Sequence, residues 1–205
     1  MIKFEYTEVF NMAGAFRGMR NPMDSWELSD SYHNEDGIFR IGPADMKLAQ
    51  KLIRAGSDHR KFLRQIFVGV DITAPRYWWT EFDTYKISTV ANSCSTMHKI
   101  HAKEFTFDDF SCENLGTVAM DTLGKTLVVM NNARDLYVAT KNTFYWHQMI
   151  QLLPQSYNQK RTVTMNYENL RNMYHGRQNH KLDEWSVGFM EWIDSLPYAD
   201  ELIKI

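Results

Sequence analysis

An α+β domain with more helix than strand is the fold class this sequence predicts, and three observations predict it. One run, residues 66–72, has the two-residue period of a strand, with Ile66, Val68, Val70 and Ile72 alternating against Phe67, Gly69 and Asp71. Several other stretches repeat apolar residues at helical spacing. No internal repeat and no linker interrupts the 205 residues, so one domain spanning residues 1–205 and burying one sizeable core is expected.

Bulk composition narrows the function. Apolar residues make up 44% and aromatic residues 14%, which suits a folded globule and not a disordered chain. The 23 Lys and Arg nearly balance the 25 Asp and Glu, so any anion site is local and nucleic acid is not an expected partner. Cys94 and Cys112 are too few for a disulfide framework and lack paired zinc spacing. No window approaches the roughly 18 apolar residues of a membrane span, and no export signal opens the chain, so a cytoplasmic location is expected.

In chain order, residues 1–10 read as an edge strand, with Ile2, Phe4 and Tyr6 alternating against Lys3 and Glu5. Residues 13–37 are loop or short helix, with turn signals at Asn21-Pro22 and Asp36-Gly37. Arg17 and Arg20 there are either solvated, the commoner case, or near an anion. From Pro43, Met46, Leu48, Ala49, Leu52 and Ile53 mark a helix behind Asp45 that Gly56 ends. After the strand at 66–72, Pro75 suits the first turn of a new helix whose face is Tyr77, Trp78, Phe82 and Tyr85. Core packing is the ordinary use of such rings, with ligand stacking the rarer one. Phe105, Phe107 and Phe110 alternate through an acidic linker. Residues 126–154 hold one or two helices, 155–160 a polar connection, and TVTMN a short extended piece before a helix over 167–174. The last helix runs from Leu182 or Asp183 to Ser195, burying Trp185, Phe189, Trp192 and Ile193.

Two polar clusters carry the candidate chemistry, and a nucleotide or flavin site between them is expected. The first holds Glu81, Thr84, Tyr85, Lys86, Asn92, Ser93, Ser95 and His98. Hydroxyls and an amide beside a lysine suit a phosphate or a pyrimidine edge, although the same residues also gather wherever a helix ends. In the second, Asn166, Asn169 and Asn172 recur every three residues, followed by His175 and Arg177. Asparagine is a poor helix former, so such a stripe is amide-rich for a merely solvated face. Arg177 just past Gly176 brings a planar guanidinium suited to a carbonyl or phosphate. A solvated helix is the alternative. No glycine-rich phosphate loop occurs, and His98 and His101 have no acidic partner at metal spacing.

The order and spacing of the two clusters resemble the flavin-dependent thymidylate synthases, the thymidylate synthase complementing family, from about Asp45 to the C-terminus. In that family an Ala-Pro strand end leads to a helix carrying Arg-His-Arg, then Ser, Asn, Glu or Gln, Ser and Arg. Here Ala74-Pro75 leads to Thr84-Tyr85-Lys86, then Ser88 or Thr89, Asn92, Ser93 and Ser95, with one residue inserted before Asn92. Leu153-Pro154 precedes Thr164-Met165-Asn166, and the later Asn and Arg positions fall on Asn172 and Arg177.

The resemblance implies helices packed on a small mixed or antiparallel sheet, and homotetramers binding FAD and the pyrimidine nucleotide dUMP. It further implies methyl transfer from methylenetetrahydrofolate, with NADPH reducing the flavin. By position it assigns Arg177 to the uracil as the catalytic residue, Glu81, Thr84, Ser93 and Ser95 to the nucleotide, and His59, Tyr85, Lys86, Asn92, Asn166 and Asn172 to the flavin, with no metal. This chain departs from the family at Thr84-Tyr85-Lys86, which keeps one cation of three, at Thr96 or Met97 in place of the closing Arg, at Glu168 in place of an Arg, and at Asp183 in place of a Gln. Losing charge-assisted contacts worth about 1.5–3 kcal/mol each alters which ligand binds. The same fold acting on another pyrimidine nucleotide, or a non-catalytic nucleotide-binding or assembly protein, are the alternatives.

Overall fold

A computed structural model describes residues 2–205, and its architecture is α+β. The chain forms two compact units. The first gathers Ile72–Thr84 and Asn92–Thr162, and the second Phe4–Asp71, Tyr85–Ala91 and Val163–Ile205. Four of the boundaries, those after Lys3, Asp71, Ala91 and Thr162, fall inside strands, so no linker composition marks them in the sequence.

The elements begin with β1 (Lys3–Phe10), α1 (Met12–Met19), β2 (Tyr32–His33), β3 (Phe39–Arg40), α2 (Pro43–Arg54), β4 (Phe67–Pro75) and α3 (Arg76–Phe82). They continue with β5 (Val90–Ser93), α4 (Thr96–Lys99), α5 (Thr117–Thr140), α6 (Thr143–Leu152), β6 (Asn158–Asn166), α7 (Tyr167–Arg177), α8 (Met190–Asp194) and α9 (Ala199–Leu202). The main sheet has the order β1-β4-β6-β5, which makes β1 the edge strand its alternation predicts. On β4, Val68, Val70, Ile72 and Ala74 are buried while Phe67 is exposed, as a two-residue period requires. β2 and β3 pair antiparallel, with Tyr32 opposite Arg40. Gly37, at φ +75°, makes their turn where Asp36-Gly37 signals one. Gly56 follows α2 at φ +107°, a conformation in which side chains are strained.

In the second unit, a buried ion pair replaces both sequence readings of Arg20. Arg20 Nε donates to Asp45 Oδ1 at 2.5 Å, and its two terminal nitrogens donate to the carbonyls of Ser25 and Leu28. Asp45 also accepts from Ser29 Oγ, Ser31 Oγ and Ser31 N, so one carboxylate ties α2 to the whole 20–31 loop. Asp45 is therefore a buried anchor and not only a first-turn acid. Arg17 is exposed.

In the first unit, α5 packs on α6 around Leu123, Leu127, Met130 and Met149, with Phe105 and Phe110 from the preceding loop. Fully burying such side chains contributes about 1.5–3 kcal/mol each. Asn131 fixes that loop with a two-way amide clasp on Phe105, accepting from its N–H at 2.8 Å and donating to its carbonyl at 2.9 Å. Phe107 sits exposed on a short 3-10 turn, so the expected Phe alternation holds at only two of its three positions.

Other boundaries also shift from expectation. Pro75 ends β4 and precedes the first residue of α3. Trp78, Trp79 and Phe82 are buried core rings, whereas Tyr85 lies beyond the end of α3. Residues 158–160, read as connection, already belong to β6. The last predicted helix begins as a π-helical turn, Glu184–Phe189, before α8.

Candidate functional site

The start of α7 explains the asparagine stripe. Asn166 is its N-cap: Asn166 Oδ1 accepts from Asn169 N at 2.9 Å, and Asn169 Oδ1 accepts from Asn166 N at 3.2 Å. This is a capping box with asparagine where Glu or Gln is usual. Asn169 then donates Nδ2 to the Ile87 carbonyl at 2.7 Å, tethering the 85–91 segment to α7. Only Asn172 of the three is exposed.

At the other end of α7 stands Arg177, on which Tyr85 and Trp185 converge. Its Nε donates to Tyr85 Oη at 3.0 Å. Its guanidinium carbon lies 5.4 Å from the Tyr85 ring centre and 5.3 Å from that of Trp185, which the π-helical turn buries at 0% exposure. Each aromatic face offers a cation about 0.5–1 kcal/mol or more, and together they hold the guanidinium plane. A planar, permanently charged group so held is suited to paired hydrogen bonds with a carbonyl edge or an oxyanion. Gly176 permits the approach, since a Cβ there would lie 3.2 Å from Tyr85 Oη.

A second charged pair in this unit answers the Glu168 departure. Arg60 Nε lies 3.0 and 2.9 Å from the two Glu168 oxygens, so the acid is matched by a cation from a distant segment. One turn on, Arg171 donates Nη2 to the Ile205 carbonyl at 2.6 Å, and its buried Nε has no partner among the described residues.

The remaining assigned residues lie in the first unit. Thr84 donates its hydroxyl to the Glu81 carbonyl at 2.7 Å, closing the end of α3, and is exposed, while Glu81 is half-buried. Next to it, Asp83 pairs with Arg161 at 2.8 Å, and that guanidinium stacks over Trp79 at 4.2 Å. Asn92 and Ser93 are exposed on β5. Ser95 caps α4, its Oγ accepting from His98 N at 3.1 Å. The helix-end reading of the hydroxyls thus describes Thr84 and Ser95. Tyr85, Lys86, His59, Asn166, Asn172 and Arg177 all belong to the second unit, where the structure brings Tyr85 and Arg177 into contact. His59 and Lys86 are exposed. Trp185, which the sequence suggests only as core, is the missed member of this group.

No protein-family model matches the sequence, and no curated protein is significantly similar to it. Solved structures are similar in fold. A flavin-dependent thymidylate synthase, ThyX, from Helicobacter pylori, complexed with FAD and dUMP, superposes with a TM-score of 0.66 at 18% identity over 99% of this chain and 97% of that one. A second structure of ThyX from the same organism, also with FAD and dUMP, gives 0.66 at 17% identity over 99% and 96%. This chain has the flavin-dependent thymidylate synthase fold. A UMP/dUMP methylase, PolB, from Streptomyces cacaoi, bound with 5-Br dUMP, is similar as well, with a TM-score of 0.64 at 14% identity over 98% and 94%.

Within a flavin-dependent thymidylate synthase fold, the groups assigned to flavin fit one by their chemistry. His59, Lys86 and Asn172 are exposed hydrogen-bonding groups, one of them cationic. That set suits an anionic, acceptor-rich ligand. Asn166 fits less directly, because it is 2% exposed and its amide oxygen caps α7. Among the described residues, no three or more His, Cys, Asp or Glu side chains are grouped to hold a metal, and no helix is long and apolar enough to cross a membrane.

Proposed function

We propose that this protein is a divergent FAD-dependent thymidylate synthase-like enzyme that reductively methylates dUMP to dTMP, using methylenetetrahydrofolate and NADPH. The observation that carries this reading is Arg177, held by the Tyr85 hydroxyl and two ring faces. A guanidinium beside a pyrimidine O2/N3 edge stabilises the negative charge that develops there during attack by the ring. Glu81, Thr84, Ser93 and Ser95 are the further nucleotide contacts. His59, Tyr85, Lys86, Asn92 and Asn172 face the flavin, with Asn166 fixing the start of α7. When bound, FAD supplies two-electron reduction at the expense of NADPH.

Assembly as a homotetramer accompanies this reading. α5 is a 24-residue helix with Val118, Val128, Val129, Leu136 and Val138 exposed, an apolar surface suited to a second copy of the chain. Free Cys94 and Cys112 suit a reducing cytoplasm.

The visible spectrum of the purified protein, with FAD and then NADPH under nitrogen, tests the proposal. Oxidised-flavin bands that bleach with NADPH are expected, and a colourless protein that takes up no FAD would overturn it. A second reading, the same chemistry on another pyrimidine nucleotide, is favoured by Thr84, whose hydroxyl is bonded to Glu81 where the family carries an arginine. Tritium release from ring-labelled dUMP, compared with UMP and dCMP, separates the two.

A further inference from the structure

The turn from Arg177 to Trp185 is held by a chain of hydrogen bonds, and one of its links is a side chain. Arg177 O accepts from His180 N at 3.0 Å, just past the end of α7. His180 Nδ1 then accepts from Leu182 N at 3.1 Å. Leu182 O in turn accepts from Trp185 N at 2.9 Å and Ser186 N at 3.1 Å, where the π-helical turn with its buried Trp185 ring begins. The His180 and Trp185 rings also face each other, their centres 6.5 Å apart. One imidazole thus joins the backbone that bears the Arg177 guanidinium to the backbone that bears the ring against it.

The direction of the middle bond fixes the protonation of His180. A ring nitrogen that accepts an N–H carries no proton, so the imidazole is neutral, with its proton on Nε2. Adding a proton to Nδ1 turns the acceptor into a second donor, which faces the Leu182 N–H and breaks the link. Imidazoles ordinarily make this change between about pH 5 and 8. The other charged or titratable groups that meet here are Arg177 and Tyr85, both against Trp185, and Lys181, Asp183 and Glu184 on the turn itself. His180 is the imidazole among them.

We infer that His180 is a positioning residue and a pH-sensitive latch: neutral, it holds Trp185 against Arg177, and protonated, it loosens the guanidinium. The inference rests on the reading of Arg177 as the pyrimidine contact, and it makes nucleotide binding weaken in acid.

Two variants of the full-length protein test it. In His180→Asn the side-chain oxygen can accept from the N–H two residues on, as in an Asx turn, and takes up no proton in this range. His180→Ala has no acceptor. As pH falls from 8 to 5, calorimetric dUMP affinity should fall in the parent by roughly three- to tenfold more than in His180→Asn, the worth of one hydrogen bond. The dUMP phosphate itself titrates near about pH 6, and the comparison cancels that change because both proteins meet it. His180→Ala should be weaker by the same factor already at pH 8, with the slope of His180→Asn. Without ligand, the Leu182 amide and Trp185 indole NMR signals should titrate together in the parent and lose that step in His180→Asn. Equal slopes for the parent and His180→Asn, or no such step in the parent, would overturn the latch. If dUMP binds at no pH, the Arg177 reading falls and the two signals alone decide: a step confined to the parent upholds the latch, and its absence overturns it.

Discussion

Arg177→Ala is expected to lower turnover of the pyrimidine nucleotide by about two to three orders of magnitude, the usual effect of removing a group aimed at developing charge. Stability should change little. Tyr85 is half-buried, so water can replace the lost donor at its hydroxyl, and the Trp185 face loses a cation worth about 0.5–1 kcal/mol. Arg177→Lys keeps the charge but not the plane or the fork, and should recover only a small part of the rate. Initial-rate kcat and KM on dUMP, beside a thermal melt of each variant, make the check. A kcat/KM for Arg177→Ala within threefold of the parent would remove Arg177 from the chemistry and leave it as a ring-stacking group.

Asp45→Ala should have the largest effect on folding. Asp45 is 0% exposed and faces Arg20, itself 4% exposed, so the variant buries an unmatched guanidinium. Breaking one side of such a pair costs about 3–5 kcal/mol, a large share of the roughly 5–15 kcal/mol that holds a typical domain folded. Replacing both partners with apolar residues of similar volume should cost less than the single change, because no charge is then stranded. Acid offers a second readout. Burial alone pushes the Asp45 carboxyl up, but hydrogen bonds from Ser31, Ser29 and Arg20, with the Arg20 charge, outweigh it and hold the group below its ordinary range. A depressed folded value means the contribution is complete above about pH 4 and is lost as pH falls through the folded value. Urea midpoints measured down the acid range should fall more steeply in the parent than in Asp45→Ala. Parallel curves would show that other carboxylates govern the acid limb.

Signals that act over a few residues were legible in the sequence. The alternation of Val68, Val70 and Ile72, the helix of Pro43 to Arg54 with its terminal glycine, and the Asp36-Gly37 turn all follow from local geometry. The resemblance carried further and led to the observed fold. Illegible were the pairings across long separations. Arg20 and Asp45 are 25 residues apart, Arg60 and Glu168 are 108, and Tyr85 and Arg177 are 92, and a charged residue destined for burial carries no local mark. Asn166 and Asn169 have the spacing of a capping box, but two asparagines three residues apart carry the same sequence signal as a stripe of ligand amides. Trp185 was legible as a buried core ring, but its place against the Arg177 guanidinium was not, because the π-helical turn that sets it departs from the 3.6-residue period.

Gly176 sets stability and activity against each other. Glycine inside a helix costs about 1 kcal/mol relative to alanine, so an alanine here should raise the melting temperature. Its methyl would press on the Tyr85 hydroxyl, which must then give by a few tenths of an ångström and so stretch its bond to Arg177. A screen that selects for thermal robustness alone would therefore favour Gly176→Ala while loosening the guanidinium on which the proposed function rests. Helix stability and the Tyr85–Arg177 contact therefore pull in opposite directions at this one residue.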